Sequence, residues 1–325
     1  MNSINRYQSF IIALAVIAGL LAGQVETVAS VAGYVIVPFL ILMLFGLFLN
    51  IPINDLLKSF SNLKFFSANL AINFLWTPFF AWVLGYLFLQ DHLSLWIGFV
   101  MLMITPCTDW YLIFTSIAKG NTMLSASVLP LNLILQVILL PVFLLLFFGA
   151  SGSVNPAFLF ESIGLVLIVP FVTAQTTKYL LQKSKKSIFL ETKLLPFFEL
   201  SQVLFLGLAI MAMFASQGDY LLQNIETVLI LLIPLMIFFT INFLVSRFTS
   251  YLLNFSYEDS VSLNLTTLAR NSPIALAIAL TAFPDNPLVA LALIIGPLIE
   301  LPVLALVSQV LLKMRGGRFS ERTGA

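Results

Sequence analysis

Ten runs of apolar residues, each about long enough to cross a lipid bilayer, leave this chain little choice of fold. A spanning helix needs about 20 consecutive apolar residues. Such runs fall at residues 9–25, 34–50, 65–89, 93–117, 122–149, 156–180, 195–216, 224–248, 259–283 and 287–312. In hydrocarbon every backbone N–H and C=O must be satisfied within the protein, so runs of this length become helices. Composition removes the soluble alternative, because only 9% of the 325 residues are charged, against roughly 25% in globular chains. The expectation is an all-α integral membrane protein. The first run, Phe10 to Ala22 behind Arg6, is similar in length to a signal-peptide core, but no small-x-small site closes it and it counts as a span.

Basic residues orient such a chain, because they crowd the cytoplasmic loops. Threading ten spans puts Arg6, Lys58, Lys64, Lys119, Lys178, Lys183, Lys185, Lys186, Lys193, Arg247, Lys313, Arg315, Arg318 and Arg322 on one side. The opposite loops carry Glu26, Asp91, His92, Asp219, Glu226 and Asp285, with no lysine or arginine. This segregation predicts a multi-pass protein of the cell (inner) membrane with both termini cytoplasmic. The basic residues form no single patch and the net charge is +1, so the bilayer is the expected partner and nucleic acid is not. A single cysteine allows no internal disulfide. No metal-ligand cluster, Walker loop or glycine-rich nucleotide fingerprint occurs, so no cofactor is expected.

Charges inside the spans are few, and at that depth they mark function. Glu161 and Glu199 lie near span ends, where they snorkel to the interface. Asp109, Arg270 and Glu300 lie deeper or beside a proline, and each needs a partner or a water-lined cavity. Asp109 belongs to the stretch T-P-C-T-D-W, Thr105 to Trp110, which also holds the sole cysteine, Cys107, with Thr108 beside it. Arg270 leads Asn271, Ser272 and Pro273 in the ninth run, and Glu300 stands between Pro297 and Pro302 in the tenth.

The architecture is written twice. Five runs precede the basic linker and five follow it, giving a first repeat over 1–182, a linker over 183–194 and a second repeat with its tail over 195–325. An odd number of spans per half inverts the two repeats in the membrane, and in such folds sites form at the midplane from broken helices. Ile72-Asn73-Phe74 in the third run recurs as Ile241-Asn242-Phe243 in the eighth. The breaks agree with the echo: Pro106 interrupts the fourth run and Pro273 the ninth.

These residues resemble a known family. The fourth and fifth runs, P-C-T-D-W-Y-L-I-F-T-S-I-A-K-G-N and then L-N-L-I-L-Q-V at 131–137, are similar to the arsenite permeases of the bile acid/sodium symporter superfamily. Gly296-Pro297-Leu298-Ile299-Glu300-Leu301-Pro302 is similar to that branch's G-x-L-x-E-x-P signature, and Asn73 falls where the branch has an asparagine. The resemblance implies a ten-helix carrier of two inverted repeats in which the fourth and ninth helices unwind and cross. A core of spans three to five and eight to ten would then move against spans one, two, six and seven. It also implies that Asp109 and Arg270 share one neighbourhood.

Departures from the family define the alternatives. The sodium-coupled branch has a serine-asparagine pair that would fall on Tyr111 and Leu112, and a glutamate and glutamine that would fall on Thr266 and Arg270. Hard cations want oxygen ligands and a guanidinium repels them, so sodium coupling is not expected. The arsenite branch's fourth-span cysteine matches Cys107, and arsenic(III) is a soft centre suited to thiolate. Its ninth-span glutamate has no counterpart here, which leaves Asp109 or Glu300 to carry protons. Proton-coupled efflux of arsenite or antimonite is therefore the leading expectation. The alternative is an organic-anion carrier in which Arg270 grips a carboxylate bidentately. Candidate binding residues are Asn73, Cys107, Thr108, Asp109, Asn132, Gln136, Arg270, Asn271, Ser272 and Glu300. Each has a plainer role: Cys107 as packing, Asp109 and Arg270 as a static pair, Glu300 as a cap for amides near the prolines, and the amides as interhelical glue. A remote alternative rests on Gly149-Ala150-Ser151-Gly152, which resembles the G-x-S-G of intramembrane serine proteases, but the sole histidine, His92, precedes that serine.

Overall fold

The computed structural model describes residues 8–50, 62–107, 110–152, 154–184, 187–223 and 225–323, and these are helical nearly throughout, with no strand among them. The helices are α1 Gln8–Gly23, α2 Glu26–Asn50, α3 Leu63–Leu89, α4 Leu93–Met103, α5 Trp110–Ile117, α6 Thr122–Ser151, α7 Pro156–Lys183, α8 Leu195–Gln223, α9 Ile225–Ile230, α10 Leu232–Leu252, α11 Tyr257–Leu268, α12 Ser272–Ala282 and α13 Pro287–Thr323. Among the described residues, seven stretches are long and apolar enough to cross a membrane: α2, α3, α6, α7, Ser187–Ser216, α10 and Pro287–Arg315. This is a multi-pass membrane protein.

Three expected spans contain no unbroken helix of membrane length among the described residues. The first ends at Gly23 after 16 residues. The fourth is divided into α4 and α5 around Pro106, and the ninth into α11 and α12 ahead of Pro273. A proline lacks the N–H that the ladder needs and pushes the residue before it out of the helical region. The eighth span is displaced from 224–248: its long helix starts at Leu232, where Pro234 suits a first turn, and continues to Leu252.

Prolines also explain a recurrent local distortion. Three five-residue π turns, Ile72–Trp76, Gly164–Ile168 and Leu190–Leu194, each end two residues before a proline, namely Pro78, Pro170 and Pro196. A proline that cannot reach back four residues frees a carbonyl, and the ladder widens by one residue just ahead of it, as where the Thr77 N–H donates to the Ile72 carbonyl. The first of these turns contains Asn73.

The chain divides into two compact units, and each draws segments from both sides of residues 183–194. The first comprises 1–51, 144–229 and 273–294. In it α1 and α2 pack on α8 through small residues: a Cβ at Gly19 would lie 2.4 Å from the Met211 carbonyl oxygen, and one at Gly23 2.6 Å from that of Ala215. Backbones this close are held by dispersion where lipid offers no hydrophobic drive. Gln175 Nε2 donates to the Phe48 carbonyl at 2.7 Å and Lys178 Nζ to that of Leu49 at 3.3 Å, closing the end of α2. The second unit comprises 52–143, 230–272 and 295–325. Its apolar cluster joins Phe65, Ala68, Ile72, Leu124, Val128 and Leu263.

Candidate functional site

Breaking a helix strands its last four carbonyls, and in a membrane each must find a donor. The second unit solves this twice at one place. At the end of α4, Val100 O accepts from Ile104 N–H at 3.0 Å. Thr105 shares its hydroxyl proton between the carbonyls of Met101 and Leu102, at 3.0 Å each. Met103 O accepts from Arg270 Nη1 at 2.8 Å. At the end of α11, Leu265 O accepts from Ala269 N–H at 3.1 Å, and Thr266 O from Asn73 Nδ2 at 3.3 Å. Thr267 O takes Asn242 Nδ2 at 2.7 Å and also Arg270 Nη2. Leu268 O takes Arg270 Nε at 3.2 Å. All eight terminal carbonyls are satisfied.

The two unwound segments also bond to each other. Cys107 N–H donates to Ala269 O at 2.9 Å and Asn271 N–H to Thr105 O at 2.7 Å, an antiparallel bridge that centres on Pro106 and Arg270. Arg270 is 1% exposed, and its guanidinium carbon lies 5.2 Å from the centroid of the Phe238 ring. Three of its five N–H donors reach the C-terminal carbonyls of both half-helices. Those ends carry the negative poles of the helix dipoles, so a fixed cation between them is favoured. Glu300 enters from α13, 2% exposed, and its Oε1 accepts the Arg270 backbone N–H at 2.8 Å.

Of the residues singled out by sequence, Cys107, Arg270, Asn271 and Glu300 are thus brought to one crossing, with Ser272 at the first residue of α12 and Asn73 at its edge. Cys107 is 3% exposed and its Sγ accepts the Trp110 N–H at 3.4 Å. Thr108 and Asp109 lie outside the described residues. Asn132 and Gln136 are one helical turn apart on α6 and completely buried, and none of their four side-chain polar atoms has a hydrogen-bond partner. A buried amide in that state costs free energy. The nearby network includes residues that sequence reasoning did not count as site members. Asn69 Nδ2 donates to Thr266 Oγ1 at 2.9 Å and Trp76 Nε1 to Asn242 Oδ1 at 3.1 Å, while the Ser246 and Thr267 hydroxyls lie 2.7 Å apart. The one signal that could have found part of it was the Asn73/Asn242 echo, whose two amides grip consecutive carbonyls of α11.

The serine that suggested a protease has a local role. Ser151 ends the final turn of α6, and its hydroxyl donates to the Phe148 carbonyl at 2.6 Å.

Two interrupted helices meeting inside a polytopic membrane protein, with polar side chains turned to the crossing, are the construction of a membrane carrier. The chain belongs to the sodium bile acid symporter family, which matches residues 37–224. It is 27% identical over 254 residues to the arsenical-resistance protein Acr3 of Corynebacterium glutamicum, covering 73% of this chain. It is 23% identical over 322 residues, 92% of this chain, to the Acr3 protein of Alkaliphilus metalliredigens. It is also 24% identical over 217 residues, 66% of this chain, to an uncharacterized transporter of Synechocystis. The matches span 66% of the Corynebacterium protein, 56% of the Synechocystis protein and 89% of the Alkaliphilus protein. The chain thus spans less than two thirds of the Corynebacterium and Synechocystis proteins, and the family it belongs to is one of membrane transporters and not of enzymes.

Proposed function

We propose that the protein is a secondary active transporter that exports arsenite or antimonite in exchange for protons, built as ten spans in two inverted repeats, 1–182 and 195–325, joined by the linker 183–194. It sits in the cell membrane with both termini cytoplasmic. The observation that carries the reading is Cys107, a buried thiol whose own backbone forms the crossing of the two broken helices. A soft arsenic(III) or antimony(III) centre bonds to sulfur, and the unpartnered amides of Asn132 and Gln136 offer both donors and acceptors to its hydroxyls. The names of the Corynebacterium and Alkaliphilus relatives support the same substrate.

Glu300 is the proposed proton carrier, with Asp109 as a further candidate. An ionised Glu300 holds the Arg270 amide with a charge-assisted bond, and protonation weakens it. The tie between α13 and the crossing would then loosen as a proton passes, while the crossing itself stays closed, which couples α13 to the gradient. An organic-anion carrier needs Arg270 as its grip, and that guanidinium is committed to three backbone carbonyls.

Expression in an arsenite-sensitive bacterium tests this directly. The wild-type chain restores growth on arsenite, Cys107→Ser does not, and everted vesicles take up arsenite only while a proton gradient stands. Restored growth with Cys107→Ser would refute the thiol's role, and uptake that survives an uncoupler would refute proton exchange.

A further inference from the structure

Two lines of contact run from one half-exposed tryptophan to the buried guanidinium at the crossing, and together they close a circuit. Trp76 ends the π turn of α3. That turn adds one residue to the helix, and one residue of an α-helix is about 100° of rotation. The segment before it faces α11, where Asn69 and Asn73 reach Thr266. The segment after it faces α10 instead. Trp76 Nε1 donates to Asn242 Oδ1 at 3.1 Å, and the Phe80 ring stacks on that of Phe238 at 5.9 Å and 22°.

The first line is polar. An indole nitrogen is a donor only, so the Asn242 amide must present its oxygen to Trp76. Its nitrogen is thereby turned to Thr267 O, which it reaches at 2.7 Å. Thr267 O also takes Arg270 Nη2. With the indole donor gone, the amide is free to turn over, and an amide oxygen set against a carbonyl oxygen repels it. The second line is aromatic. Trp76 stacks on Phe80 at 5.0 Å and 20°, Phe80 stacks on Phe238, and the Arg270 guanidinium carbon lies over the Phe238 ring at 5.2 Å. A cation over a ring face is attracted by the ring's quadrupole. The polar line therefore sets one of the carbonyls that the guanidinium grips, and the aromatic line sets the ring beneath it.

Trp76 stands where the circuit meets the lipid. It is 39% exposed, against 1% or less for Asn242, Thr267, Arg270 and Phe238. We infer that Trp76 is a positioning residue for the crossing: from the lipid-facing edge it sets the Asn242 amide and the Phe238 ring, and through them the Arg270 guanidinium that ties the two broken helices. The inference rests on the proposed transport only for the use to which the crossing is put.

The test is hydrogen exchange of the purified full-length protein, resolved at the two amides that bridge the crossing, Cys107 and Asn271. Trp76→Phe keeps a ring for the stack and removes the N–H. It speeds exchange at both amides about tenfold, as loss of the donor to a buried acceptor implies. The Asn132 amide, bonded to Val128 O in the same unit, exchanges as in the wild type. Replacing Trp76 with benzothienylalanine, which has the indole's shape with sulfur in place of the N–H, gives the same result and decides the matter if the phenylalanine variant does not fold. Trp76→Leu removes the ring as well and exceeds both; an equal rise would overturn the aromatic line. Bridging amides that exchange within about twofold of the wild type once the N–H is gone would overturn the inference. So would an equal rise at Asn132, the mark of a general loss of stability. Arsenite efflux measured on the same proteins keeps the two readings apart, because a wild-type chain that exports no arsenite refutes the proposed transport and leaves the exchange result standing.

Discussion

Replacing Arg270 with methionine separates a structural pin from a substrate grip. Its three hydrogen bonds reach the carbonyls of Met103, Thr267 and Leu268. Charge-assisted bonds contribute about 1.5–3 kcal/mol each, a gross of roughly 5–9 kcal/mol for three. Burying a guanidinium costs several kcal/mol against this gain. The expected net loss is about 3–5 kcal/mol, the range for stripping one partner from a buried charged arrangement. At about 2 °C per kcal/mol for a chain of this size, the unfolding midpoint drops by roughly 6–10 °C. Thermal unfolding of the detergent-purified protein, read by tryptophan fluorescence, measures it. Arg270→Lys falls between, because one ammonium cannot reach both helix ends with a planar fork. Were Arg270 instead the grip for an anion, its loss would remove a buried charge. Arg270→Met would then be as stable as the wild type, or more so, while failing to transport. That result would refute the pin.

Other substitutions probe the remaining parts of the site and the packing. Asn132→Leu combined with Gln136→Leu removes four unpartnered buried polar atoms, so the midpoint should rise by the equivalent of about 1–3 kcal/mol while arsenite resistance disappears. A fall in stability would show that those amides have partners after all. Asn242→Ala breaks bonds to Thr267 and Trp76 and should cost about 1–3 kcal/mol, seen in the same unfolding assay. Gly19→Ala drives a methyl onto the Met211 carbonyl at 2.4 Å and should destabilise by about 1–3 kcal/mol. Gly33→Ala meets nothing within 4 Å and should stabilise by about 0.5–1 kcal/mol; equal effects at the two positions would discount the close α1–α8 approach.

Much of this was visible in the sequence, for reasons that differ from residue to residue. Long apolar runs announce membrane helices because hydrocarbon permits little else, and Pro106 and Pro273 announce the breaks because a missing N–H cannot be hidden. The recurring Ile-Asn-Phe flagged two amides that both end on α11. What the sequence could not supply is the destination of each donor. Arg270 reads as a charge in search of an opposite charge, yet its bonds go to backbone carbonyls, which every sequence contains and none displays. Thr266, Thr267 and Ser246 look like ordinary hydroxyls in a helix until the break of α11 gives them neighbours. The fourth and ninth runs are apolar enough to predict full spans, but hydropathy is blind to whether the ladder continues through them.

The carbonyl inventory also constrains how a transport cycle can run. The crossing contributes eight terminal carbonyls, and Arg270 alone serves three of them, drawn from both helix ends. Separating α4 from α11 would leave Met103 O or Leu268 O without its donor, at about 1–3 kcal/mol for the unsatisfied group, while Thr267 O keeps Asn242. Glu300 fixes the same residue from the other side through its backbone N–H. A rearrangement that keeps the broken ends together and moves them as one body avoids that cost, whereas one that prises them apart incurs it in every cycle. The crossing is therefore expected to travel intact. A disulfide between cysteines introduced at Thr105 and Asn271, whose backbones already exchange a hydrogen bond at 2.7 Å, should leave arsenite efflux within about twofold of the reduced form, a difference of only about 0.4 kcal/mol. A cross-link that stops transport reversibly, with reductant restoring it, would show that the two unwound segments must part.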